Sequence, residues 1–128
     1  MDTNTIIWIV QILTALVFLG AGVMKISQPK DKLYEKGMKF VEDATVGQVK
    51  TIGVLELAGA IGLIFPWLLN ILPILTPLAG VGLCLTMIGA GIVHIRRHEY
   101  PNITPNVIFF LMSAFVVYGR LVLVPVAG

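Results

Sequence analysis

The chain has 128 residues, 57% of them hydrophobic and only 12% charged, with a mean hydropathy of +0.93. Soluble domains carry about a quarter charged residues, and a water-soluble fold of this size has no interior large enough to hide so much apolar surface. A net charge of +2, scattered along the flanks of apolar stretches, excludes a nucleic-acid patch, and the single cysteine, Cys84, excludes both an internal disulfide and a C-x-x-C pair.

Four spans of roughly 20 residues use most of such a chain. The expectation is therefore all-α: a transmembrane four-helix bundle, one membrane domain over residues 1–128, with a short amphipathic interfacial helix after the first span. The first span is expected at about 6–26. Asp2 is the only charge before Lys25, so the basic flank of a secretory signal is missing, and the apolar stretch reads as a retained span. Ser27-Gln28-Pro29 closes it, since proline cannot continue a helix.

Residues 30 to 50 then hold five of the nine basic and four of the seven acidic residues. At 100° per residue Leu33, Tyr34, Gly37, Met38, Phe40 and Val41 share one arc, with Asp31, Lys32, Glu35, Lys36, Lys39, Glu42 and Asp43 opposite. This pattern predicts an amphipathic helix lying on the membrane surface.

The second span is expected at about 49–69 and contains Glu56. Its eleven Leu, Ile, Val and Phe residues contribute roughly −3 to −6 kcal/mol to insertion, against about +3 for a central acid, so it inserts with little margin. The third span, about 74–95, carries Pro77 in its first turn and stops at Arg96-Arg97-His98-Glu99. The fourth, about 105–124, opens on Thr104 as cap and Pro105 at the first helical position, and ends near Pro125. Lys30, Lys32, Lys36, Lys39, Arg96 and Arg97 all fall in the two loops on one side. The positive-inside rule makes that side cytoplasmic and both termini external, in what is expected to be the plasma membrane.

Polar residues inside spans are costly unless they face the bundle interior and find partners. Gln11, Phe18 and Lys25 stand seven apart, with Thr14 beside them; Asn106, Ser113 and Arg120 repeat that spacing, as do Gly80, Met87 and His94. Gly53, Glu56, Gly59 and Ala60 make a small-residue face around an acid. Each helix thus has one candidate inward face, the pattern of a left-handed bundle. Glu56 is the only acid within any span, so it is the only carboxylate open to Lys25, His94 or Arg120; Asn106 and Ser113 are uncharged alternatives, and Lys25 could instead snorkel to headgroups. Two readings follow: a polar binding pocket centred on Glu56, or polar side chains that glue helices together. Gly80, Gly82, Gly89 and Gly91 offer surface for internal packing or for a homo-oligomer.

Gly22-Val-Met-Lys25, Gly53-Val-Leu-Glu56-Leu-Ala-Gly-Ala, His94-Ile-Arg96 and Tyr118-Gly-Arg120 give a pattern that resembles the DoxX-like family of small four-span membrane proteins. The likeness covers nearly the whole chain. It implies relatives among membrane subunits of thiosulfate and quinone oxidation, partners in bacterial thiol-redox complexes, and an animal branch assisting assembly of nicotinic acetylcholine receptors. A shared fold does not fix a function. One expectation is a non-enzymatic accessory or chaperone-type partner of other membrane proteins or oxidoreductases, with the lipid bilayer as its constant neighbour. The other is a redox-complex subunit holding a quinone-like or isoprenoid molecule, or a lipid, with Glu56 and His94 as hydrogen-bonding groups and Lys25, Gln11, Asn106, Ser113 and Arg120 around them. No catalytic nucleophile or phosphate loop is legible, and no cofactor is evident. His94 and His98 lie four apart, but Arg96-Arg97 and the approaching Pro101 argue that the helix is ending there, so no metal site is expected.

Overall fold

The structure, a computed structural model, describes residues 1–125. It is all-helical: α1 (Thr3–Ser27), α2 (Lys30–Glu35), α3 (Val46–Leu68), α4 (Leu75–Arg96) and α5 (Ile103–Tyr118), the last continued by a π turn over Gly119–Leu123. Four helical stretches are long and apolar enough to cross a membrane: Thr3–Ser27, Val46–Leu68, Leu75–Arg96 and Tyr100–Leu123. Val126 to Gly128, and with them the expected external C-terminus, lie outside the described residues.

Local chemistry sets the helix ends. Asp2 caps α1 by accepting from the Thr5 amide at 2.7 Å, which starts the helix before the first apolar residue. Thr45 and Gln48 form a reciprocal capping box at the start of α3. Pro66 lies inside the last turn of α3. It has no amide proton to give the Gly62 carbonyl one turn earlier, and Thr76 of α4 supplies the missing donor at 2.8 Å. A proline gap in one helix thereby becomes an interhelical tie. The fourth crossing departs from expectation at both ends. A 3-10 turn, Tyr100–Asn102, feeds α5 from Ile103, so Thr104 and Pro105 already lie within its first turn. At the far end the α-helix gives way to the π turn before Pro125 is reached.

The surface segment also differs from a continuous amphipathic helix. α2 ends at Glu35 because Gly37 adopts φ +101°, a left-handed conformation that an α-helix cannot include. A 3-10 turn, Lys39–Asp43, follows. The apolar arc is split accordingly: Leu33 and Val41 are buried with Val49 in a small core under Met24, Met38 and Phe40, while Tyr34 stays exposed. This segment is thus packed against the C-terminal end of α1 and the N-terminal end of α3. Lys50 of α3 donates to the Ile26 carbonyl at 2.6 Å and the Gln28 carbonyl at 3.2 Å, and Lys30 donates to the Ala44 carbonyl at 2.5 Å, so lysine ammonium groups cap the chain reversals.

The bundle core comprises Ala15 and Phe18 of α1, Ala60 and Leu63 of α3, Leu83 and Met87 of α4 and Val116 of α5. Phe18 meets Phe109 edge to face, with centroids 6.3 Å apart. Close approach depends on glycine at the α1–α3 crossing, where a Cβ on Gly22 would stand 2.7 Å from the Gly53 carbonyl oxygen. In a membrane, where burial from lipid provides no hydrophobic drive, such backbone-to-backbone packing is a main source of helix association. The glycines of α4 divide: Gly80 packs on Val117 and Gly91 on Asn106, whereas Gly82 and Gly89 face open space.

Candidate functional site

The interior polar residues gather at separate levels rather than in one pocket around Glu56. At the first level Glu56 is buried and its Oε1 stands 2.6 Å from Lys25 Nζ. Glu56 lies ten residues into α3, so its Cα is about 15 Å from the helix start, near the bilayer midplane. Gly22 and Gly53 bring the two backbones together, and the lysine stem spans the remaining height. Lys25 does not snorkel to headgroups: its side chain is only 9% exposed, because a buried carboxylate within reach outweighs the headgroup layer. Glu56 Oε1 receives no directed hydrogen bond beyond this ionic contact.

At the opposite end of the bundle Arg120 is 1% exposed, carried on the π turn that continues α5. The turn closes with the Val124 amide on the Gly119 carbonyl at 2.8 Å, and Gly119 leaves room for Ile7. Arg120 Nε donates to Gln11 Oε1 at 2.8 Å and Nη1 to Asn4 Oδ1 at 2.7 Å. Its guanidinium carbon lies 4.5 Å from the Trp67 ring centroid and 5.1 Å from that of Trp8, within cation–π range of both. Gln11 uses its amide nitrogen on the Leu63 carbonyl of α3, so one side chain joins α1, α3 and the end of α5. Nη2 of Arg120 is buried without a partner, and no ion pair involves this arginine among the described residues.

The remaining sequence candidates serve elsewhere. Asn106 donates to the Met87 carbonyl at 3.0 Å and ties α5 to α4, while Ser113 bonds back to Phe109 of its own helix at 2.9 Å. His94 contacts Glu99 at 3.0 Å rather than Glu56. His98 turns away with φ +57° and contacts Tyr100, so the two histidines do not converge.

Next to this, Arg97 gathers the charged loops: it bonds Glu99 at 3.0 Å, Glu42 at 2.7 Å and the Lys39 carbonyl at 2.9 Å, and also contacts Asp43. Hydrogen bonds to Glu42 and Glu99 push the already high Arg97 pKa further up. Burial alone would raise the Glu99 carboxyl, but its contacts with His94 and Arg97 outweigh that and hold it below the ordinary carboxylate value.

Sequence reasoning passed over Asn4, Trp8 and the role of Trp67. A signal was available for the first. The stripe of Gln11, Phe18 and Lys25 extends back by seven to Asn4, which places it beside Gln11 on the same face.

Four long apolar helices, a buried ion pair and a concentration of charge in one set of loops define a small four-span integral membrane protein of the helix-bundle class. Residues 9–116 match the DoxX-like family, and the chain belongs to it. None of the curated proteins and none of the solved structures compared with the chain matches it.

Proposed function

We propose that this DoxX-like protein is a non-enzymatic accessory subunit, an assembly or chaperone-type partner of other membrane proteins or of oxidoreductases. One observation carries the reading: Lys25, Glu56, Gln11 and Asn106 in the interior are committed to joining the helices. Lys25 is spent on Glu56, Gln11 on Leu63 and Arg120, and Asn106 on Met87. Side chains so engaged make a defined bundle and leave little for acid–base work. The outward faces of α3 and α4, by contrast, carry exposed apolar residues such as Leu55, Phe65, Leu78 and Leu85 around a groove of about 950 Å³. Such a surface suits lipid or another protein's helices.

Native mass spectrometry of the protein extracted gently from its own membranes tests this. A membrane protein or oxidoreductase subunit retained at fixed stoichiometry is the expected result. A quinone or isoprenoid retained one-to-one, with no protein partner, overturns it in favour of a redox subunit with a bound small molecule.

Orientation belongs to the same proposal: the inner loops face the cytoplasm, the N-terminus is external, and the membrane is the plasma membrane. The basic residues at the Lys30–Lys39 and Arg96-Arg97 ends support it. In a Cys84→Ser background, Asp2→Cys should react with an impermeant thiol reagent applied to intact cells and Lys36→Cys should not. The reverse pattern refutes the orientation.

A further inference from the structure

A guanidinium buried at this end of the bundle with no carboxylate in reach among the described residues is an unbalanced arrangement. Placing a charge out of water is expensive, and a fully buried arginine ordinarily finds an acid or satisfies all its donors. Arg120 does neither. Gln11 and Asn4 are neutral, the two indoles offer only ring quadrupoles, and Nη2 has no acceptor among the described residues.

The backbone beneath it is equally unusual. Helices widen into π turns rarely, and where they do the distortion commonly serves a site. Here the distortion spans Gly119–Leu123 and carries Arg120.

The three faces of the guanidinium differ in how firmly they are held. Nε is fixed by Gln11, a completely buried side chain anchored on α3. Nη1 is held by Asn4, an exposed residue in the first turn of α1 that can swing into solvent. Nη2 is held by no described residue. Nη1 and Nη2 are the paired donors that a carboxylate or phosphate takes side by side, and they are the two that can be freed by moving Asn4 alone. Trp8 and Trp67, both half-buried, lie with their rings against the guanidinium, 5.1 and 4.5 Å from its carbon, at the level where indoles meet the headgroup region.

We infer that Arg120 is the recognition group of a binding site for the oxyanion of an amphiphile, a carboxylate or phosphate headgroup entering from the outer leaflet. The oxyanion displaces the Asn4 carboxamide and bridges Nη1 and Nη2, while the apolar tail lies against Trp8 and Trp67. This goes beyond the accessory role proposed above and does not depend on it; only the assignment to the outer leaflet rests on the orientation proposed there.

Trp8 and Trp67 are the only two tryptophans in the chain, so intrinsic fluorescence reads this site directly. The purified full chain in dodecyl maltoside at pH 8 is titrated with dodecanoate and with dodecyl phosphate, with dodecanol as the neutral match. Both anionic amphiphiles should give a saturable change in tryptophan emission, and dodecanol should give none. Acetate and inorganic phosphate identify the source of the anion. If they saturate the same signal at similar concentrations the site takes free oxyanions; if only the tailed compounds do, it takes a lipid headgroup.

Asn4→Asp provides an internal carboxylate for the same fork, at a helix start where an acid is welcome. It should raise the melting temperature and weaken binding of both amphiphiles about tenfold or more, the loss expected when a charge-assisted fork is already occupied. Arg120→Lys keeps the charge but lacks the fork, and should weaken binding likewise. Absence of any emission change, an equal response to dodecanol, or an Asn4→Asp protein that binds like wild type each overturns the site and leaves Arg120 as a structural clamp.

Discussion

Replacing Glu56 by leucine should destabilise the bundle by about 3–5 kcal/mol, the cost of leaving one member of a buried ion pair uncompensated. Lys25 would then be held in the interior by its neighbours with nothing opposite its ammonium, since Glu56 is the acid it contacts. Glu56→Gln should cost less, because the amide keeps an oxygen that can accept from Nζ. The double replacement Lys25→Met with Glu56→Leu should recover most of the loss, since removing both charges removes the desolvation penalty with the attraction. Unfolding in detergent, followed by circular dichroism, ranks the three variants. Equal stability of Glu56→Leu and wild type would show that the pair contributes nothing, and equal losses for leucine and glutamine would show that charge is not what matters.

Gly22→Ala should destabilise the protein by about 1–3 kcal/mol through overpacking, although alanine is the better helix former. The added methyl would stand 2.7 Å from the Gly53 carbonyl oxygen and 2.8 Å from the Leu57 amide nitrogen, and both are backbone atoms that no rotamer change can move. α1 and α3 would have to part, loosening the Lys25–Glu56 contact on the same face. Gly82→Ala is the matched control, since nothing lies within 4 Å of its added carbon, and it should be neutral or slightly stabilising. Chemical unfolding of the two variants beside wild type checks the contrast; a Gly22→Ala protein as stable as Gly82→Ala would mean that the crossing does not need glycine.

Hydropathy made the membrane-spanning architecture legible, and sevenfold spacing made the inward faces legible. Gln11, Phe18 and Lys25 lie on one buried stripe of α1, and Glu56 and Ala60 lie inside α3. Pairing was not legible to the same degree. Glu56 had several basic residues as partners by depth, and only the closeness of the α1–α3 crossing, set by Gly22 and Gly53, selects Lys25 over Arg120 or His94. His94 was taken by Glu99, a residue beyond the helix end whose position depends on the irregular turn through His98. The break at Gly37 was written in the sequence as a single glycine, but periodicity is blind to one left-handed residue in an otherwise helical pattern. The π turn beneath Arg120 has no simple sequence signature, and it decides where that side chain points.

The Lys25–Glu56 contact has a mechanical consequence. Sliding α1 along α3 by one helical turn displaces the ammonium by about 5.4 Å, which strands both charges in a medium that punishes isolated ions. It also drives the Gly22 notch off Gly53 and onto bulkier neighbours. α1 and α3 therefore behave as one rigid body with a locked axial register. Shear motion in this protein, if a partner or ligand calls on it, is left to the surface that α4 presents to that pair, where the tie is a neutral hydrogen bond from Thr76 to Gly62.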